Sequence, residues 1–441
     1  MSKLSGLWVS WTGQQHRINK KLHDKYGCFV RTGPNEISVV DVSAIGSVLG
    51  ASGLPKGEYY EARQDPSAPR NLVVLVGEPH ANRRRLWNRG MSSDSLKDYE
   101  IVIAKRSQQL VEKLESERGP VDLGAWFGYF TFDFMGDMAF GGGFEMLRDG
   151  GDKAGLWHVL ERFAVVAAVV SHIPWASRIL HKIPFISGDL QRLRKVGVDS
   201  ASSRLKAGAS TKDLWYHLSD EAGLEKEPPL VKDVVADGAL AILAGTDTTS
   251  AAMTSVFYFL LSNPECYTRV QTEVDTVYPK DEDALDASRH GGLSYLNACI
   301  SEALRLHPPA ATGGPRQVPR HSGGKVIADR FVPEGTQVYL PPYSLHRDAR
   351  YFSNPEVFRP DRWLVPGEGE DLSAFIPFSY GPANCVGRNL ARREMLMVVS
   401  LLVQKFKISF AKDFDAGAWP DTIRDHFVST RGPLMVELEA R

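Results

Sequence analysis

Hydrophobic and polar positions follow two styles along the chain. The stretch Val30-Arg31-Thr32-Gly33-Pro34-Asn35-Glu36-Ile37-Ser38-Val39-Val40 reads as two short strands around a Gly-Pro turn. Helical patterns then dominate, predicting helices over Tyr99–Arg118, Asp122–Ala139, Leu156–Val170 and Gly188–Lys206. The polar stretch Lys206–Pro229 reads as an exposed connection.

A long helix is predicted from about Leu230 to Leu261. It follows Pro228-Pro229, ends at Asn263-Pro264 and holds no proline between them. At the helical rise it would span roughly 45 Å. Val234, Val235, Leu240, Ile242, Leu243, Met253, Val256 and Phe257 make it apolar on nearly every face, so it should run through the core. Its middle is polar: Ala244-Gly245-Thr246-Asp247-Thr248-Thr249. Beyond it come a helix over Leu293–Leu306, a β-rich region over Val318–Leu345, an irregular Pro- and aromatic-bearing segment over Asp348–Pro366, and a last helix over about Asn389–Lys405. No internal repeat, P-loop or dinucleotide-binding glycine fingerprint is present.

Composition narrows the classes. The 441 residues are 43% hydrophobic and 24% charged with a net charge of -1, which excludes a disordered chain and gives no support to nucleic-acid binding. Length alone suggests about three domains at ~150 residues each. No run approaches the ~18 apolar residues of a membrane span, and the N-terminus lacks a signal-peptide pattern, so a soluble chain is expected. Trp8 and Trp11 could still touch a membrane surface. Cys28, Cys266, Cys299 and Cys385 are far apart, without zinc-type spacing, which suits a reducing compartment and buried structural roles for most of them.

Four constellations carry candidate chemistry. In Phe378-Ser379-Tyr380-Gly381-Pro382-Ala383-Asn384-Cys385-Val386-Gly387 a cysteine lies in a Gly/Pro-rich turn directly before a helix. Amide N–H groups there can stabilise a thiolate, a candidate axial ligand for haem iron; a buried structural cysteine is the plainer reading. Asp247 and Thr248 break the apolar helix. An acid beside a hydroxyl, next to a glycine that admits a ligand, can relay protons, whereas a threonine can also simply bond back to the preceding turn. Glu302 and Arg305 form an i,i+3 pair, a surface decoration unless buried with a further partner such as Arg362. His80 and Arg84 at a helix opening, with Arg316, could converge on carboxylates; an exposed helix start is the alternative for His80.

Together, in this order, these motifs resemble the cytochrome P450 family of haem–thiolate monooxygenases, over nearly the whole chain. Phe378, Gly381, Cys385 and Gly387 match the family's cysteine loop, Ala244 to Thr249 its oxygen-activation motif, Glu302 and Arg305 its E-x-x-R pair, and Phe358 to Trp363 the motif that follows. The resemblance implies one mainly α domain over 1–441 with a small β-rich lobe near 30–50 and 318–345, replacing the three domains suggested by length. Haem b would lie between the long core helix and the cysteine loop. Cys385 would ligate the iron, with Phe378 packed near it. Asp247 and Thr248 would manage protons, and His80, Arg84 and Arg316 would hold the haem propionates. Glu302, Arg305 and Arg362 would form an ion network behind the loop. The implied reaction inserts one oxygen atom from O2 into a lipophilic organic substrate, with electrons from an NADPH–cytochrome reductase.

Departures sharpen the expectations. Ala383 stands where the family usually has arginine, which puts more weight on Arg84 and Arg316. His80 stands where many relatives have tryptophan. The anchor helix of eukaryotic relatives is missing from the chain as given, an expectation of truncation or divergence, with location in the cytoplasm or on the cytosolic face of the endoplasmic reticulum. The phrase Gly381 to Cys385 looks like fungal, basidiomycete-type members. Arg83, Arg85, Arg89, Arg388, Arg392 and Arg393 could form a basic patch for the reductase, against the plainer reading of a solvated helix face. Substrate contacts are expected near Leu72–Val76, Ala239–Leu243, Ala310–Thr312 and Phe427–Val428, favouring a terpenoid or fatty acyl type of compound. Two other readings stay open here: a reductase-independent isomerase or peroxygenase, and a non-catalytic haem-binding relative.

Overall fold

The computed structural model describes residues 2–63, 68–175, 184–208, 211–279, 282–365, 367 and 370–441. Its axis is the helix Val231–Ser262, 32 residues long. Leu230, extended behind the two prolines, caps its start, and Pro264 opens the next helix, Pro264–Val277, at a position where a missing N–H costs nothing. The core helix lies against Leu123–Phe140, Ser294–Leu306 and Arg388–Lys405. Glycine permits the closest of these approaches: a Cβ on Gly245 would meet the Met135 sulfur at 2.5 Å. Gly245 therefore serves helix–helix packing at this point. Phe127 and Phe257 stack at 5.6 Å in the same seam and are fully buried.

The two β-rich stretches join in one sheet. Phe29–Gly33 pairs antiparallel with Glu36–Val39, which pairs in parallel with Gln337–Tyr339, and Arg316–Gln317 closes the far edge. Val39, Val48, Val318, Val338 and Phe352 pack into a second core under this sheet. Residues 43–49 are helix and not strand, so the β-rich part near 30–50 ends at Val39. A further sheet sets Met435–Ala440 between Val121–Asp122 and Phe406–Phe410.

Two segments differ from the sequence expectation. The connection after Lys206 contains a helix, Leu214–Leu218, whose Leu214 and Trp215 are buried, so it is not simply an exposed connection. At the N-terminus, Lys3–Thr12 and Gln15–Tyr26 are helical. The second of these buries His16, Asn19 and His23, polar residues that an apolar pattern does not flag. Pro366, the end of the predicted irregular segment, lies outside the described residues. Among the described residues no helix is long and apolar enough to cross a membrane.

Candidate active site around Cys385

The cysteine loop is a chain of tight turns before the helix Arg388–Lys405. Ser379 N–H donates to the Ile376 carbonyl, Asn384 N–H to Gly381 and Cys385 N–H to Phe378 at 2.8 Å. Gly381 has φ 73°, and a Cβ there would reach the Leu49 carbonyl at 2.0 Å, so only glycine fits. Cys385 is surrounded by protein, yet its own surface is open, which places an interior space beside the sulfur. Burial pushes the thiol up, opposed by the Gly387 N–H and the charges of Arg84 and Arg388. A metal bound to the sulfur would complete the deprotonation that these groups begin. The Phe378 ring carries the Arg392 guanidinium 5.8 Å above it.

A cluster of basic groups lies nearby, with no acid acting on Lys56 or His80 among the described residues. Burial, then Arg316 and Arg84, lower Lys56 to about 7. Burial, then Lys56, Arg84 and Arg316, lower His80 to about 4. Every charge acting on these two groups is positive. Arg316 is buried and its Nη1 lacks a hydrogen-bond partner. Such an arrangement is costly until carboxylates enter it. It therefore fits the two propionates of haem, and the open sulfur fits its iron. Lys56, which completes the cluster, was missed because it lies in an aperiodic loop, Gly53 to Gly57. Arg84 is largely engaged elsewhere, on Asn88, Pro382 and Asn384.

On the core helix, Ala244 is exposed despite its mid-core place, and Asp247 and Thr248 are only partly covered. This face therefore also borders an interior space. Thr248 Oγ1 donates to the Ala244 carbonyl at 2.7 Å, the back-bond of the plainer reading, while its oxygen can still accept. Asp247 is raised to about 6 by burial, against the lowering charge of Arg431. Arg431, also missed, donates to Thr254 Oγ1 at 3.0 Å and Ser250 Oγ at 3.1 Å, on the helix face that carries Asp247.

Behind these elements, Glu302, Arg305 and Arg362 come together as a fully buried network. Arg305 binds Glu302 through two N–H groups at 2.8 and 2.9 Å, Arg362 Nε adds a third at 3.1 Å, and Trp363 Nε1 a fourth at 2.9 Å. The remaining N–H groups of Arg305 hold the carbonyls of His346, Pro355 and Val357. This satisfies the condition under which a buried ion pair is tolerable.

Three of the four expected substrate segments converge. Val73 and Val74 pack with Tyr59, Tyr60 and Phe427 in one small apolar cluster. A Cβ on Gly314 would strike Tyr60 Oη at 1.9 Å, which puts the turn after Ala310–Thr312 against the same rings. The fourth is linked through Asp237, which accepts from Leu72 N–H, Arg83 and Trp87 at 3.0 Å each. That same contact corrects the basic patch. Arg83 is tied to Asp233 and Asp237, Arg85 to Glu225, Arg89 to Asp220 and Glu225, and Arg393 to Glu100. Arg83 and Arg393 tie helix to helix, and Arg85 and Arg89 hold the segment after Leu218; among the described residues, Arg388 and Arg392 alone of the six have no ion-pair partner.

The family profile described as Cytochrome P450 matches residues 3–436. A cytochrome P450 monooxygenase, FCK2, of Fusarium pseudograminearum is 32% identical over 97% of this chain and 78% of its own length. Cytochrome P450 67 of Uromyces fabae is 32% identical over 96% of this chain and 81% of its own. Tryprostatin B 6-hydroxylase of Aspergillus fumigatus is 28% identical over 100% of this chain and 79% of its own.

Proposed function

The chain belongs to the cytochrome P450 family of haem–thiolate monooxygenases, and from that premise we propose that it oxygenates a lipophilic secondary metabolite with Cys385 as the axial ligand. As a member it binds haem through a cysteine thiolate and uses O2, a lipophilic substrate and a redox partner. Haem, when bound, supplies the iron at which dioxygen is activated. The observation that carries the assignment of Cys385 is its open sulfur in the interior, at the head of a helix and under the Gly387 N–H.

The chain's own groups divide the remaining work. Arg316 and Lys56 supply the positive field for the propionates, His80, neutral because it is lowered to about 4, offers a hydrogen-bond donor, and Arg84 fixes the loop that carries the thiolate. Asp247, poised at about 6, can both hold and release a proton near neutral pH. Thr248 can accept that proton's hydrogen bond while donating to Ala244. The cluster of Tyr59, Tyr60, Val74 and Phe427 would exclude water from an apolar substrate. The relative whose name denotes a 6-hydroxylase of tryprostatin B supports hydroxylation of a secondary metabolite.

Electrons would come from an NADPH–cytochrome reductase that docks over Arg388 and Arg392. Location on the cytosolic face of the endoplasmic reticulum is supported by Leu4, Trp8 and Trp11, spaced along one face of the first helix and 75, 64 and 64% exposed. Turnover in heavy-isotope dioxygen tests the reading. One labelled oxygen atom in the product, with strict dependence on reductase and NADPH, supports a monooxygenase. Unlabelled or donor-independent product would indicate an isomerase, and product from peroxide alone a peroxygenase.

A further inference from the structure

A cavity of about 260 Å³ opens beside the C-terminal half of the core helix, between it, the helix Gln15–Tyr26 and the turn after Leu306. None of Cys385, Asp247, Thr248, Lys56 or Arg316 lines it. Its wall carries Arg17, Arg347, Arg431, His16, His307 and Ser429. Four polar atoms there have no hydrogen-bond partner: His16 Nδ1, His307 Nδ1, Arg347 Nη1 and Ser429 Oγ. Three of these side chains belong to residues at least nine-tenths buried, with His16 at 1%, Arg347 at 5% and Ser429 at 8% exposure. Buried polar atoms are rarely left unpaired, so the space suits a polar occupant.

Charge indicates its sign. Glu356 is the one carboxylate in the lining, and it already takes Arg347 Nε at 3.0 Å. Arg17 is held by Asp421 and the Pro420 carbonyl. Arg431 donates to the hydroxyls of Thr254 and Ser250, and the charges of Asp247, Asp122 and Glu161 act on it from beyond ion-pair reach. Burial keeps both histidines neutral, so each can offer one donor without adding charge repulsion. Water could occupy such a volume, but three guanidiniums facing one lining carboxylate leave a positive excess that a charged acceptor satisfies best.

We propose that this cavity is a second ligand site, which takes a small anion bearing phosphate or carboxylate oxygens against Arg347 and Arg431. The site does not rest on the haem reading. Its coupling to the active site does, because Arg431 also grips Ser250 and Thr254 on the face that carries Asp247. An anion there would neutralise part of the charge that restrains Asp247.

Calorimetric titration of the haem-loaded protein tests this, with inorganic phosphate and acetate in separate arms at constant ionic strength in chloride. Saturable binding of one anion per chain is expected, and the stronger arm identifies the headgroup. Affinity should fall about tenfold or more in Arg347→Met and in Arg431→Met, as for loss of a charge-assisted pair. Should Arg347→Met not fold, Ser429→Leu, which fills the cavity and breaks no ion pair, should abolish binding. Absence of saturable binding in both arms overturns the proposal, as does binding that Arg431→Met and Ser429→Leu leave unchanged. The reduced carbon monoxide spectrum of each variant reports separately on the thiolate site.

Discussion

Arg84 donates from Nη1 to the backbone carbonyl of Asn384 and from Nη2 to its side-chain oxygen, both at 2.7 Å. A helix from the first quarter of the chain thus clamps the residue immediately before Cys385. Ala383 cannot supply a cation from within the loop, and Arg84 brings one from outside it. Arg84→Met should therefore loosen the loop, destabilise the loaded protein by about 1.5–3 kcal/mol and raise the Cys385 thiol further. Urea unfolding and the fraction of thiolate-type carbon monoxide spectrum measure both effects. Arg84→Lys, with a single ammonium, should restore only part of either.

Arg431 opposes the burial that raises Asp247. Replacing it with glutamine removes the positive charge that holds that carboxyl down, so Asp247 should titrate above its present value of about 6. The acid form then persists to higher pH. A limb of the turnover–pH profile that reports Asp247 should move to the alkaline side in Arg431→Gln and vanish in Asp247→Asn. An unmoved limb would dissociate Arg431 from this acid.

Glu394 is 1% exposed, and its Oε2 has no partner. Burial raises it well above the ordinary 4.5. The folded state therefore binds a proton that the unfolded state has already lost above that value, and stability falls as pH rises from 4.5 toward the folded value. Glu394→Gln should flatten this slope and gain stability at neutral pH. Denaturant midpoints at mildly acid and mildly alkaline pH measure it.

The network on Glu302 is fully buried, with both carboxylate oxygens shared by Arg305, Arg362, Trp363 and the Arg359 N–H. Glu302→Gln strips buried Arg305 of its one ion-pair partner among the described residues and Arg362 of one of two, Glu370 remaining, and should cost about 3–5 kcal/mol. Low recovery of haem-loaded protein and a reduced urea midpoint are the expected signs. Arg269→Ala, which breaks an exposed pair with Asp361, should by contrast change stability by less than about 1 kcal/mol.

Periodic features were legible from residues alone. Two prolines and an Asn-Pro delimit the core helix, and its predicted bounds differ from Val231–Ser262 by one residue at each end. The Gly-Pro turn likewise located the first two strands, and Arg362 was identified as the partner of Glu302 from its motif. Groups that act through space were not legible. Lys56 and Arg431 lie in aperiodic segments, and only folding brings them to His80 and Asp247. Conversely, the row of arginines over 83–89 looked like one basic face. The fold instead ties Arg83 to Asp233 and Asp237 and sets Arg85 and Arg89, four apart on the helix, on the shared acid Glu225, and Asp237 lies in the middle of an apolar run.

Thiolate ligation by Cys385 is tested most directly by the spectrum of the reduced protein with carbon monoxide. The wild type should give the strongly red-shifted Soret band of a thiolate-bound haem, and Cys385→Ala, with folding verified by circular dichroism, should lose it. A histidine-type band in the wild type, or a red-shifted band that survives Cys385→Ala, would contradict the assignment.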